Sequence, residues 1–344
     1  MVSFIVPVYN TSQFDLIRCA DSLLAQTEQN WECVFVNNGE SEETINTLEK
    51  LHQSDHRFII IQADHKGVSH ARNLGVCMAK GEYIAFCDAD DTYKPNFLNN
   101  SLENITEYGL DLLIGGTEEL INCEVAKKYT SFNASIRIYD EDQIITLIDY
   151  ALASCSRSGN KELGNILLAR VYPKLIKKEI ANGVLFNEEL HIHEDNLWCF
   201  EILRRCHKVG VVNECFYQYY VNPYSVTHSN LTEENLRQEI KFADAVRQFA
   251  EGKPNIEEAK TMRLLMIANN MLNVLAALKL DNQHRDQYIE EIVRINDEQE
   301  IIQLISCYQP SKKTKALAKI LSVHSEKLRT LLLQQLVRYK VKRS

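Results

Sequence analysis

The segment Tyr83-Ile84-Ala85-Phe86-Cys87-Asp88-Ala89-Asp90-Asp91 sets three carboxylates within four positions, directly after an apolar run. A run of this kind reads as a buried strand that delivers acid groups to the carboxyl edge of a sheet, where open α/β sheets bind ligands. Carboxylates so close repel one another, and a divalent cation bridging them to a second anion relieves the repulsion most simply. A diphosphate is the obvious second anion; the alternative is a solvated acidic turn. A second acidic pair, Glu194-Asp195, opens an amphipathic segment carried by Leu197, Phe200, Ile202 and Leu203. Negative charge is favoured at a helix start, so Asp195 suits either a fixed general base or an N-cap. His191 and His193 have His-x-His spacing, but no third His or Cys lies near in sequence, so zinc is not expected.

The elements that must position these groups follow from periodicity. Ser3 to Val8 and Trp31 to Val36 read as buried strands, Phe14 to Gln26 and Glu42 to Gln53 as helices, and Arg57 to Ile61 as a third strand. Gly67 to about Ala79 reads as a helix presenting Arg72, and Gly81 ends it before the acidic strand. Strands alternating with crossover helices predict a doubly wound, mainly parallel sheet. Further on, the pattern predicts a helix from Lys94-Pro95 to Tyr108, strands at Asp111–Gly115 and Leu167–Val171, a helix at Glu141–Ala153, and two strands at Val209–Val212 and Cys215–Tyr220. After about Asn230 a 3.6-residue period with few Gly or Pro predicts a helical appendage.

Four blocks occur in order: Val6-Pro7-Val8-Tyr9-Asn10; Gly67-Val68-Ser69-x-Ala71-Arg72-Asn73-x-Gly75; Ala79-Lys80-Gly81-Glu82-Tyr83-Ile84-x-Phe86-x-Asp88-Ala89-Asp90-Asp91; and Glu194-Asp195. Together they resemble the motifs of family 2 inverting glycosyltransferases of the bacterial surface-polysaccharide and lipopolysaccharide type, over roughly residues 3 to 229. The resemblance implies a GT-A fold, a Rossmann-like α/β architecture with a mixed, mainly parallel sheet flanked by helices. It implies a catalytic domain at 1–230, with 231–344 as an α-helical carboxyl-terminal region. By the same resemblance Asp90 binds Mn²⁺ or Mg²⁺ directly, while Asp88 holds the ribose or the metal's water shell, with Ala89 between them. Pro7, Tyr9, Asn10, Asn38 and Arg72 join the donor site, Tyr9 against the uracil face and Arg72 at base or phosphate. Asp195 is the general base, and Glu194 orients an acceptor sugar or Asp195 itself. His228 lies in the loop that closes over the donor, a further contact to diphosphate or metal. His191 and His193 line the acceptor cleft. Arg72 has a competing reading as a salt bridge to Asp88 or Asp90, and Asp91 as a structural residue that caps the helix at Pro95 or holds the loop.

The chain departs from the family at Asn37-Asn38-Gly39-Glu40, where members carry Asp-Asp-Gly-Ser. An Asn carbonyl still accepts the uracil N–H, as a weaker neutral acceptor. The implied activity is metal-dependent transfer of a hexose or N-acetylhexosamine from a UDP-sugar to a glycan or lipid-linked oligosaccharide. The alternative is a catalytically weak nucleotide-sugar-binding protein of the same fold.

Composition narrows the setting. At 45% hydrophobic and 25% charged, the chain has ordinary globular balance. Its ten cysteines are scattered without Cys-x-x-Cys spacing, as expected of reduced core residues in a cytoplasmic protein. There is no signal-peptide pattern at the amino terminus. Residues 311–344 hold ten Lys or Arg against one acid, Glu326, so a chain of formal charge -9 is strongly acidic in its body and basic at its end. The acidic body argues against nucleic acid; the basic end suggests docking on an anionic membrane surface, the inner face of the cell membrane. Leu317, Ile320, Leu321, Leu328, Leu331, Leu332, Leu336 and Val337 supply an apolar face for an interfacial helix or for one packed on the protein.

Overall fold

The computed structural model describes residues 1–130, 135–153, 170–221, 231–278, 280–307 and 314–341. The chain forms two compact units, Met1–Ala151 with Glu162–Pro223, and Leu152–Lys161 with Tyr224–Ser344.

The first unit begins as its hydrophobic pattern dictates. Strand β1 (Val2–Val8), helix α1 (Gln13–Leu24), strand β2 (Trp31–Asn37), helix α2 (Glu42–Ser54), strand β3 (Phe58–Gln62), helix α3 (Val68–Met78) and strand β4 (Tyr83–Phe86) follow in order. Ser12 and Ser41 start α1 and α2 by accepting the N–H groups of Asp15 and Thr44. The β2 strand is buried along its whole length, as a parallel strand covered on both faces must be. Helix α3 lies so close to β1 that a Cβ on Gly75 would come within 2.4 Å of an Ile5 methyl.

The second half is less regular: β5 (Thr92–Tyr93), α4 (Phe97–Tyr108), β6 (Leu112–Ile121), β7 (Glu124–Tyr129), β8 (Ile136–Asp140), α5 (Glu141–Ala153), β9 (Lys174–Lys177), α6 (Lys178–Ala181), α7 (Glu194–Arg205) and β10 (Lys208–Tyr220). The sheet order is β3-β2-β1-β4-β9-β6-β10-β5, with β7 on β6 and β8 on β10. The pairs β3/β2, β2/β1, β1/β4 and β6/β10 are parallel, while β9 is antiparallel to both its neighbours. The chain reverses its winding direction between β1 and β4, so the carboxyl ends of these strands frame a crevice. Pro7 sits on that seam: β4 pairs with β1 only as far as Ile5, so the missing proline N–H deprives no partner.

Three local expectations are corrected, and one strand was not anticipated. The helix expected at Pro95 begins at Phe97, because Thr92 and Tyr93 pair instead with Gln218 and Tyr217. Within the described part of the Leu167–Val171 segment no strand forms; the strand is Lys174–Lys177, one register further on. The two strands expected around Asn213-Glu214 are one, β10, which stays continuous across shifts in its register with β6. The segment Glu124–Tyr129, polar and exposed, is a strand that apolar patterning does not reveal.

The second unit is helical: α8 (Glu233–Ala250), α9 (Glu257–Ala277), α10 (Asn282–Arg294), α11 (Glu298–Cys307), α12 (Lys315–Leu321) and α13 (Glu326–Val341). Thr232 and Asn235 form a reciprocal capping box at the start of α8. Helix α9 buries residues on all sides, as a central helix does. The basic end is two helices, not one: Leu317, Leu321, Leu333 and Val337 point inward, and Leu328 and Leu331 remain exposed. Among the described residues no helix is long and apolar enough to cross a membrane. The eight described cysteines are free, and all but Cys77 and Cys123 are buried.

Candidate active site

The ends of β1, β2 and β4 bring the first three sequence blocks together. Tyr9 is 55% exposed and lies nearly parallel to the His65 imidazole, centroids 4.7 Å apart. Asn10 adopts the left-handed region (φ 47°), and its Oδ1 accepts the N–H groups of Glu40 (3.2 Å) and Ser41 (3.1 Å). Asn10 therefore holds the loop after β2, and Gly39 must be glycine because a Cβ there would sit 2.5 Å from that oxygen. The two asparagines that replace the family's aspartates behave differently. Asn37 is engaged locally, donating to Gln62 (2.9 Å) and Gly39 (3.3 Å) and accepting from Gly39 N. Asn38 is only 4% exposed, yet among the described residues its Oδ1 has no hydrogen-bond partner. A buried acceptor in this state is costly, and a ligand N–H would satisfy it.

The acidic tip after β4 is fastened from several sides. Tyr217 on β10 donates its hydroxyl to Asp91 (2.8 Å) and accepts the N–H of Asp88 (3.0 Å), while Tyr220 N donates to the other Asp91 oxygen (2.8 Å). Asp91 is thus the loop-holding residue; it does not cap α4, whose cap position is Asn96. Burial, then the charges of Asp90 and Asp88, pushes the Asp91 carboxyl well above its usual range. Ala89 is buried, and Asp88 and Asp90 stand at the partly exposed edge. Burial and the Asp88 charge raise Asp90 to about 6. Arg18 on α1 reinforces the tip by donating to the Asp90 carbonyl, with its guanidinium stacked 3.8 Å from the Tyr220 ring centroid and ion-paired to Asp15 (2.8 Å).

Two carboxylates facing outward, with the third turned inward, suit a hard divalent cation that takes its other ligands from phosphate oxygens and water. Asp88 and Asp90 would hold Mn²⁺ or Mg²⁺ in this way. No group of three or more His, Cys, Asp or Glu side chains forms a metal cluster among the described residues, and His191 and His193 build no zinc site with a third such ligand. His228 lies outside the described residues.

Arg72, buried in α3, joins the acidic tip to the second acidic pair, donating to Asp88 (3.2 Å) and Glu194 (2.9 Å). The salt-bridge reading of Arg72 is the one observed. Glu194, 9% exposed, directs its carboxylate at Arg72, which makes it a positioning residue for the tip. Burial and then Asp195 push Glu194 up to about 7 despite Arg72. Asp195 is not an N-cap: His193, in the left-handed region (φ 69°), takes that position without a side-chain bond. Asp195 Oδ1 accepts from Asn196 N and Nδ2, each at 2.8 Å, and no hydrogen bond reaches Oδ2 among the described residues. Lys174, only 1% exposed and donating to the Arg170 carbonyl, is a buried base and not a solvated surface residue. Burial lowers its pKa while Asp195 raises it.

Periodicity carries no signal for Arg18, Tyr217 or Arg170. The only cue is their type, since an aromatic hydroxyl or guanidinium inside an apolar pattern must find a partner when buried.

Residues 3–163 match the family model described as Glycosyl transferase family 2. Glycosyltransferase GlyG of Streptococcus pneumoniae serotype 4 is 26% identical over 228 residues, covering 64% of this chain and 70% of that one. The uncharacterized glycosyltransferase EpsJ of Bacillus subtilis strain 168 is 27% identical, covering 66% of this chain and 63% of its own length. Among solved structures, S. aureus TarS 1-349 in complex with UDP-GlcNAc superposes with a TM-score of 0.71 at 16% identity, over 99% of this chain and 91% of that one. That likeness establishes the GT-A fold.

Proposed function

We propose that this chain, whose residues 3–163 match the Glycosyl transferase family 2 model on a GT-A fold, is an inverting enzyme of surface-polysaccharide synthesis that transfers a hexose or N-acetylhexosamine from a UDP-sugar to a hydroxyl of a glycan or lipid-linked acceptor. In this reading residues 1–230 are the catalytic domain and 231–344 its helical companion. The observation that carries it is the Arg72 bridge, which ties Asp88 to Glu194, a residue 122 positions beyond Arg72 in the chain, and so supports one cleft for both acidic motifs.

Asp195 takes the acceptor's proton as the hydroxyl oxygen attacks the anomeric carbon. The bond to the diphosphate breaks with its electron pair, and a β linkage forms from an α-linked donor. Asp88 and Asp90 would hold a divalent cation, which would supply neutralisation of the departing diphosphate. Tyr9 covers the base and Asn38 Oδ1 accepts the uracil ring N–H. That TarS is solved with UDP-GlcNAc supports the donor class. Calorimetric titration with UDP and GDP in the presence of Mn²⁺ tests the assignment: UDP binds tighter, and tighter GDP binding rejects uridine recognition.

A further inference from the structure

Several cations in the first unit have a visible counter-charge: Arg72 two carboxylates, Arg18 Asp15, Arg57 Asp55, Lys177 Asp111, and Lys94 and Lys128 Glu118. Arg170 differs. Among the described residues its guanidinium makes no ion pair and donates no hydrogen bond, and Nη1 is buried without a partner. Its guanidinium lies against two aromatic faces, Tyr219 with its ring centroid at 5.0 Å and Tyr172 at 5.9 Å. Tyr172 is itself stacked on Tyr217, centroids 4.1 Å apart, so this wall is fixed to the residue that fastens the acidic tip.

Two cation–π contacts do not replace the directional acceptors that a guanidinium fork requires. A desolvated cation left in this state is destabilising unless an anion arrives to complete it. Its position says which anion. The carboxylate that bears on Arg170 is Asp195, not the metal-holding pair Asp88 and Asp90. The Arg170 carbonyl also accepts from Cys199 Sγ (3.4 Å), one helical turn beyond Asp195 on α7, so Arg170 lies on the side of the cleft that carries Asp195.

We propose that Arg170 binds an oxyanion carried by the acceptor, a phosphate ester or a carboxylate next to the sugar unit whose hydroxyl is glycosylated, with Tyr172 and Tyr219 as its apolar wall. The proposal rests on Asp195 marking the acceptor side. It names a substrate class, an anionic acceptor, that the donor-side motifs do not specify. The oxyanion takes two parallel N–H bonds from the guanidinium and fixes the acceptor's register before any bond is made.

The test is a binding measurement, independent of turnover. The full chain, saturated with UDP and Mn²⁺, is titrated calorimetrically with sn-glycerol 3-phosphate, glucuronate and, as neutral control, glycerol. At least one oxyanion probe binds saturably at millimolar concentration while glycerol does not. Arg170→Gln weakens that probe at least tenfold, Arg170→Lys weakens it severalfold because charge remains without the fork, and UDP affinity stays within twofold in both. Circular dichroism confirms folding, and the Lys variant alone decides the matter if the Gln variant does not fold. Equal probe binding by wild type and variants, no binding of either oxyanion, or a tenfold fall in UDP affinity overturns the proposal. Failure of UDP to bind the wild type would instead count against the donor assignment.

Discussion

The cleft has two walls built on different principles. On the donor wall, polar atoms are mostly matched within the protein: Asp91 to Tyr217 and Tyr220, Asp88 to Arg72, the Asp90 carbonyl to Arg18, Asn10 to the loop after β2. Among the described residues the Asn38 oxygen and one N–H each of Arg18 and Arg72 stay without a partner there, and the Asp90 carboxylate stands at the partly exposed edge. On the acceptor wall, charge itself is unsettled: among the described residues Arg170 lacks a counter-ion and Asp195 Oδ2 a hydrogen bond, and Glu194 is raised to about 7. Nucleotide and cation are the same in every cycle, so a rigid, pre-matched wall loses nothing. The wall that moves a proton must keep groups whose charge is not yet settled.

The sharpest way to break this contrast is Asp195→Asn. If the walls are separable, transfer falls about 10²- to 10⁴-fold, the usual contribution of a positioned base. UDP affinity with Mn²⁺ and the urea midpoint both stay close to wild type. A parallel loss of UDP binding would mean that Asp195 belongs to the donor wall.

Next in size is the pH dependence of stability. Glu194 is raised from 4.5 to about 7, so the folded chain holds its proton where the unfolded chain has released it. The unfolded state therefore binds fewer protons across that window, and stability falls as pH rises from about 4.5 to 7, then levels. The full effect is at most about 3 kcal/mol at ~1.4 kcal/mol per unit. Glu194→Gln removes this slope while retaining a hydrogen-bonding oxygen for Arg72. Urea unfolding at pH 5 and pH 8 should show a smaller difference in the variant; identical differences would show that Glu194 ionises normally.

The same division explains what could be read from the amino acids. Through Asp91 the chain is parallel strands and crossover helices with short connections, so one period after another gives the next element, and the site residues stand at strand ends. Beyond it, β5 is too short for any period, β9 is an antiparallel insertion, and β10 crosses its irregular register without a break. Asp88 and Asp90 stood out in the sequence because they follow directly on an apolar strand, and Asp195 because it opens an amphipathic segment. Arg18 and Tyr217 were not, since they act 72 and 129 positions away from the tip they hold. Glu194 was visible, but its ion pair with Arg72, 122 positions away, was not.

The smallest effect probes the donor wall's rigidity. Arg18 contributes one hydrogen bond to the Asp90 carbonyl, one partly exposed ion pair to Asp15 and a stack on Tyr220. The ion pair is worth little by itself, and the hydrogen bond and stack each contribute about 1 kcal/mol. Arg18→Leu should therefore lower stability by only about 1–2 kcal/mol. If the tip must be held for the cation to bind, the same loss appears as a roughly five- to tenfold higher half-saturating Mn²⁺ concentration, with the rate at saturating metal within about twofold. Arg18→Lys, which keeps the charge beside Asp15 but loses the planar stack, falls between the two. Lower stability with unchanged Mn²⁺ saturation would make Arg18 a strut for α1 alone, and the donor wall would owe its order to Tyr217 and Arg72.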